Sequence, residues 1–310
     1  MPYDNILLVA FGGPTPGGCL CGGACPSEAH CFVEGILGKD PKRAARVKEV
    51  AAHYREIGGF SPFNELTFRQ AEALQTALAQ RGLKLPVRAG MRHWSPWIKD
   101  VVADIAKAGQ KRTLAVVLAP HQSAVSWDWY LKVVSEACAA AADAPSVDYV
   151  DPWPTHPGFV KAVADGLRAH ADAALIFTAH AIPSAIADKS PYARQFQDTA
   201  AAVARELGRP DYHCAYQSQA SDSTVAWTRP DINDLIRDLA KQGVRKVVVS
   251  PIGFLCDHVE VLYDLDVAAR RTAKEAGIGF TRAATVGSHP AFIGMLADLI
   301  TARASAGARA

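Results

Sequence analysis

Long apolar runs are missing from this sequence of 310 residues. No run approaches the roughly 20 residues that span a bilayer, and the longest candidates, such as Leu114–Pro120, read as buried strands. An excess of one charge is missing too. Thirty-three Lys and Arg stand against 31 Asp and Glu, a net charge of +2, which argues against a nucleic-acid binder or a polyanionic tail. The start, Met1-Pro-Tyr-Asp4, has neither a basic region nor a cleavable apolar stretch, so no secretory signal is expected and the cytoplasm is the expected location. Phosphate loops are absent: Gly12-Gly13-Pro14 fits neither G-x-G-x-x-G nor G-x-x-x-x-G-K-[ST], and Gly22-Gly23 and Gly58-Gly59 fare no better. A nucleotide enzyme is therefore disfavoured. No G-x-S-x-G elbow or H-E-x-x-H pair appears either.

What is present is an ordinary globular composition, 49% hydrophobic and 21% charged, long for one domain and comfortable for two. Seven cysteines stand out. Cys19, Cys21, Cys25 and Cys31 fall close together on a Gly-rich stretch, while Cys138, Cys214 and Cys256 are scattered. A disulfide framework is not expected in a large chain without a signal peptide.

Apolar runs suited to buried strands recur at Ile6–Phe11, Val87–Met91, Leu114–Leu118, Val147–Val150, Leu175–Thr178, His213–Tyr216, Val247–Val249 and Gly279–Ala283. Helical periodicity fills most of the gaps, at Pro41–Ile57, Thr67–Gln80, Pro96–Ala108, Pro157–Ala171, Ala193–Leu207, Asp231–Lys241 and Val259–Ala276, with a last helix at Pro290–Arg303 and a fraying tail after it. Such alternation predicts an α/β protein with parallel sheets covered by helices. The segment Pro96–Gly109 also matches Pro230–Gly243 without a gap, and each copy is followed by an apolar strand ending in Pro120 or Pro251. Helices that start with Pro and end with Gly share capping chemistry, but the agreement extends into the flanking strands. Two similar lobes meeting near residue 150 are predicted, with Phe11, His121, His180, Ser218 and the stretch after Pro251 at strand ends lining a cleft.

His180, at the end of the strand Ala174–His180, is the leading candidate for chemistry, as a proton acceptor or metal ligand. In Cys256–Asp266, a helix would put Asp257, Glu260 and Asp264 on one face, where a cation could screen them; Asp257 with Glu260 also fits an N-terminal capping arrangement. Trp94, Trp97, Trp127, Trp129 and Tyr130 would suit a rim for a flat ligand.

Ala10-Phe-Gly-Gly-Pro14, Ile57-Gly-Gly-Phe-Ser-Pro62, Leu118-Ala-Pro-His121, Thr178-Ala-His-Ala-Ile-Pro183, Tyr216-Gln-Ser218 and Pro251-Ile-Gly-Phe-Leu-Cys-Asp-His-Val-Glu260 with Tyr263-Asp264 occur in this order. With these motifs the chain resembles the ferrochelatases, lyases that insert ferrous iron into a porphyrin in heme biosynthesis, from about residue 5 to 300. The resemblance implies two Rossmann-like lobes, each a four-stranded parallel sheet flanked by helices, with the active cleft between them. The expected division is 1–150, with a Cys-rich loop at 17–31, and 151–310, with the last helix packing back on the first lobe. His180 and Glu260 are implied as the catalytic pair and, with Asp264, as metal ligands. Phe11, Ser61, His93 and Tyr130 are implied as substrate-binding, Ser61 and Tyr130 at positions near the porphyrin and His93 at one linked to metal handling in some members. Phe11 replaces a tyrosine found in one branch, Ala268 replaces an acid, and Asp266 would continue the acidic row. Lys39, Lys42 and Arg43 are candidates to hold propionates. Some ferrochelatases carry a two-iron two-sulfur (2Fe-2S) cluster on four cysteines, which makes Cys19, Cys21, Cys25 and Cys31 candidate ligands; zinc or free thiols remain alternatives.

Expected partners are a porphyrin and ferrous iron as substrates, with no nucleic acid. A monomer is expected, with room for a transient membrane contact at the cleft mouth. Protoporphyrin IX and coproporphyrin III are both candidate substrates. Two other functions stay open: a sirohydrochlorin cobalt or iron chelatase, and a porphyrin or heme carrier without turnover.

Overall fold

The computed structural model describes residues 2–220 and 223–306; the end of the expected tail, 307–310, lies outside them. The eight apolar runs form strands β1 (Asn5–Ala10), β2 (Val87–Met91), β3 (Arg112–Val117), β4 (Ser146–Tyr149), β5 (Ala174–His180), β6 (Tyr212–Gln217), β7 (Lys246–Ser250) and β8 (Gly279–Arg282). They make two four-stranded sheets, ordered β2-β1-β3-β4 and β6-β5-β7-β8, with every pairing parallel. The two orders are the same, as the internal repeat predicts. The correspondence reaches single residues: Met91 N donates to Pro96 O and Tyr216 N to Pro230 O, both at 2.8 Å, so each repeat proline turns its helix away from the sheet at an equivalent point.

The helices are α1 (Glu28–Leu37), α2 (Ala44–Glu56), α3 (Phe63–Gln80), α4 (Ile98–Lys107), α5 (Trp129–Ala140), α6 (Pro157–Asp165), α7 (Ser184–Ala187), α8 (Tyr192–Glu206), α9 (Ile232–Lys241), α10 (Val259–Leu262), α11 (Arg270–Glu275) and α12 (Pro290–Ala306). Helices α1, α5 and the short α7 are not among the expected ones, and one expected helix is broken. Helix α1 begins inside the expected Cys-rich loop 17–31 and carries Cys31, so the loop ends at Ser27, whose Oγ accepts from His30 N at 3.2 Å and caps the helix. Helix α5 grows out of a wide turn at Ala124–Asp128. The single helix expected at Val259–Ala276 is three pieces, because Tyr263 O accepts from both Val267 N (3.1 Å) and Ala268 N (2.8 Å). That extra residue makes a π-helical turn, Asp264–Ala269.

One large apolar cluster spans both sheets and includes Ile6, Leu8, Leu74, Phe159, Phe177, Phe196 and Phe292. Helix α12 packs against α6 and against α3 of the first half, where Arg81 Nη2 meets Asp298 Oδ1 at 2.7 Å. The carboxyl ends of the strands in both sheets carry the loops described next.

Candidate active site

His180 is the last residue of β5, and its position is fixed from several sides. The Tyr192 hydroxyl of α8 donates to His180 O at 2.9 Å. The ring Nδ1 hydrogen-bonds the Ala181 carbonyl. A carbonyl only accepts, so Nδ1 carries a proton and Nε2 is the nitrogen free for chemistry. Nε2 lies 3.4 Å from Glu260 Oε1, and about a third of each side chain is open to solvent.

Glu260 reaches this position because the loop after β7 crosses the end of β5. Gly253 N donates to Thr178 O at 3.0 Å, and a Cβ on Gly253 would lie 2.7 Å from Ala179 Cα. Only glycine allows that approach. The loop then enters α10, which His258 caps: its Nδ1 accepts from Glu260 N at 3.1 Å. Gln217 Nε2, from the end of β6, bonds the Glu260 carbonyl. Asp264 follows one turn later and accepts a hydrogen bond from Ser218 Oγ; Ser218 holds φ +67°, unusual for a residue with a Cβ.

The electrostatics divide the three groups. Burial lowers the His180 pKa, but the Glu260 charge and hydrogen bond outweigh it and raise it to about 9. Burial likewise works against the Glu260 carboxylate, and His180 overcomes it, pulling Glu260 to about 2. The pair therefore rests as imidazolium and carboxylate at neutral pH. Asp264 goes the other way. Burial raises it to about 7, with the Ser218 bond opposing and the Glu260 charge adding. Arg46 of α2 lowers both Glu260 and Asp264 while pairing with Glu49 at 2.9 Å.

Other residues singled out in the sequence fall into place around this group. Phe11 follows β1, its ring edge-on to Phe32 and 4.6 Å from His93. Burial pushes His93 down to about 3, so it is neutral, and its Nε2 is buried with no partner among the described residues. Ser61 is buried behind Gly13, its Oγ accepting from Phe63 N at 3.3 Å. Tyr130 is buried in the core of the first sheet, with the Arg92 guanidinium 5.8 Å over its ring.

Several expectations need correction. His121 is not a cleft residue: it is 2% exposed, with Nε2 3.0 Å from Thr199 Oγ1 of α8, because the segment after β3 packs on that helix. The aromatic rim is mostly core, with Trp94 and Trp127 buried and Trp129 exposed under Arg92 and Lys132. Asp257 does not cap α10, since His258 does. Asp257 and Asp266 are both bound by Arg282, so neither extends the acidic row, which consists of Glu260 and Asp264. Lys39 and Lys42 are exposed, and Arg43 Nη1 donates to Leu37 O at 2.7 Å. Arg282 was not legible as a site residue, because its partners Asp257 and Asp266 lie far away in sequence and on other elements; nor was Arg46, whose charge acts on Glu260 and Asp264 from another element.

The four clustered cysteines converge. Their Sγ atoms all lie within 4.8 Å of one another, and Gly17, Gly22 and Gly23 hold positive φ around them. Hydrogen bonding from Cys19 pulls Cys21 down to about 6, while Cys21, then burial, push Cys25 up to about 11. An all-sulfur donor set of this kind suits zinc or an iron–sulfur cluster. The loop sits beside the site: Gly18 lies against the Trp94 indole, and Cys19 packs on the cluster that holds Phe32, Trp94 and Val259.

A family profile described as "Ferrochelatase" matches residues 36–304. A protein of Deinococcus radiodurans named "Ferrochelatase" is 36% identical over 97% of this chain and 96% of its own length. A "Coproporphyrin III ferrochelatase" of Propionibacterium freudenreichii is 38% identical over 98% of this chain and 88% of its own. Among solved structures, "SirB from Bacillus subtilis with Fe3+" superposes with a TM-score of 0.57 at 13% identity, covering 96% of this chain and 94% of its own. CbiX, described as the terminal enzyme for biosynthesis of siroheme in denitrifying bacteria, gives 0.54 at 18% identity over 96% and 98%. At such identities these two structures speak to the fold alone.

Proposed function

This chain belongs to the ferrochelatase family, and from that membership we propose that it is a lyase inserting Fe²⁺ into a porphyrin for heme synthesis, with His180, Glu260 and Asp264 carrying the reaction. The observation that supports the assignment most is His180 Nε2 at 3.4 Å from Glu260 Oε1, with Asp264 one turn behind and held by Ser218. Insertion exchanges two pyrrole protons for one Fe²⁺, so the site needs a proton acceptor, a way out for protons and weak ligands for the incoming ion.

His180 starts protonated. Before Nε2 can take a pyrrole proton or touch iron, its own proton must leave; Glu260, held near 2 by the imidazolium charge, takes it only as the arriving cation displaces it. Asp264 titrates near 7, so at neutral pH it can accept from Glu260 and release to water. The path is pyrrole nitrogen, His180, Glu260, Asp264, solvent. The same three groups are transient ligands for the arriving ion, which displaces protons as it binds. Phe11, His93, Ser61 and Tyr130 belong to the walls and support of the cleft, and bending the macrocycle there would expose its nitrogen lone pairs.

Cys19, Cys21, Cys25 and Cys31 would hold a 2Fe-2S cluster, whose chemistry is electron transfer or a rigid cross-link of the loop. It has no step in the proton path. Brown colour with visible absorption, lost on changing the cysteines to serine, supports the cluster; a colourless protein with stoichiometric zinc replaces it. No helix among the described residues is long and apolar enough to cross a membrane, and we place the reaction in the cytoplasm on a monomer.

The deciding experiment is anaerobic iron insertion by purified protein, with protoporphyrin IX and coproporphyrin III compared side by side and sirohydrochlorin as a third substrate. Formation of the iron porphyrin supports the reading. Porphyrin binding without metalation would make the protein a carrier, and turnover confined to sirohydrochlorin would move it to the related chelatases.

A further inference from the structure

Arg282 ends β8, and its side chain is only 14% exposed. Nε donates to both oxygens of Asp266, at 3.0 and 2.9 Å, and Nη1 and Nη2 donate to Asp257 Oδ1 and Oδ2, at 3.2 and 3.1 Å. Asp257 also accepts from the Thr285 hydroxyl at 2.9 Å, and Asp266 faces Arg270 Nη2 at 3.4 Å. Asp257 lies just before the α10 cap, and Asp266 lies in the π-helical turn just past Asp264. One guanidinium thus ties down both ends of the segment that carries Glu260 and Asp264. A planar fork of N–H donors suits two carboxylates at once; an ammonium, a point charge on a flexible stem, does not.

We infer that Arg282 is a positioning residue that fixes Glu260 and Asp264 opposite His180 and withdraws Asp257 and Asp266 from the acidic row, leaving Glu260 and Asp264 as the row offered to a divalent cation. The inference rests on the chelatase reading above. It separates residues of one chemical type into two duties: two aspartates anchor, while the third aspartate and the glutamate work.

Arg282→Gln and Arg282→Lys are compared with the wild type in two measurements. Hydrogen–deuterium exchange across residues 258–266 speeds up at least tenfold in both, because lysine cannot grip both carboxylates. Metal insertion shows kcat lowered at least tenfold with the porphyrin KM within twofold, and Arg282→Lys does not restore it. Adding Asp257→Asn and Asp266→Asn to Arg282→Gln cancels the freed charges and leaves kcat low. If that triple variant regains wild-type kcat, Arg282 only balances charge and the positioning role is overturned. Unchanged exchange over 258–266 overturns it as well, whatever the turnover. Should Arg282→Gln fail to fold, Asp266→Asn alone carries the test through faster exchange and lower kcat. A wild type that binds porphyrin and inserts no metal overturns the chelatase reading instead, while the exchange data still judge the clamp.

Discussion

His180 illustrates how a single side chain changes character with its neighbour. On sequence alone it is a base waiting for a proton. Beside Glu260 it is an acid that has already taken one, raised to about 9. The first prediction follows from that sign. A divalent ion competes with the proton on Nε2, so kcat/KM for the metal should rise as pH climbs from about 6.5 toward 9, and a flat profile would remove His180 from the metal path. Folding is linked to the same pair. His180 is raised in the folded state, so its share of stability is full below the unfolded value near 6.5 and is lost as pH rises through about 9. Glu260 is depressed, so its share is present above about 4.5 and is lost as pH falls toward 2. The Tm penalty of Glu260→Gln should thus be largest between about pH 5 and 6.5 and shrink by pH 10 in thermal melts. His180→Ala should abolish turnover in insertion assays while the circular dichroism spectrum stays native.

At the scale of elements, the loops at strand ends are the sensitive parts. Gly253 passes so close to β5 that any Cβ meets backbone at 2.7 Å. Gly253→Ala should cost about 1–3 kcal/mol in urea unfolding, as overpacking does, and should lower kcat by moving α10 away from His180. The wide turn at Asp264–Ala269 matters for another reason. Asp264 and Asp266, two residues apart, face opposite ways in it, Asp264 to Ser218 and Asp266 to Arg282. Asp257 leaves the row earlier, because it lies before the extended His258 cap and outside α10. The cysteine loop is a separate element: Cys19→Ser should bleach any visible absorption, yet leave His180, Glu260 and Asp264 in place.

For the molecule as a whole, one core joins the two sheets. Phe292 of α12 is fully buried among Trp153 and Phe159, and α12 also packs on α3. Phe292→Ala should destabilise the protein by about 3–5 kcal/mol. Because the cluster includes residues of both sheets, tryptophan fluorescence and far-ultraviolet circular dichroism should report one shared transition in urea. Two separate transitions would mean that the sheets unfold independently.

Much of this was open to reading in the chain. Strands buried on both faces, such as β1 and β3, read as continuous apolar runs; the half-buried edge strands β4 and β8 showed through their place between helical stretches, and the repeat at Pro96 and Pro230 announced two sheets of one order. Chemistry-bearing residues at strand ends, His180 above all, were visible for the same reason: the pattern changes where a strand leaves the core. Pairing was not visible. Arg282 gathers Asp257 and Asp266, and His121 turns away from the cleft to Thr199, each through contacts that no local pattern encodes. The sequence by itself determined the strands, the repeat and the chemical inventory, because periodicity and residue type are local. Only the tertiary structure decided which carboxylates lie by His180 and Ser218 and which are tied to Arg282, because charge pairing depends on distance in space and on the water excluded around it.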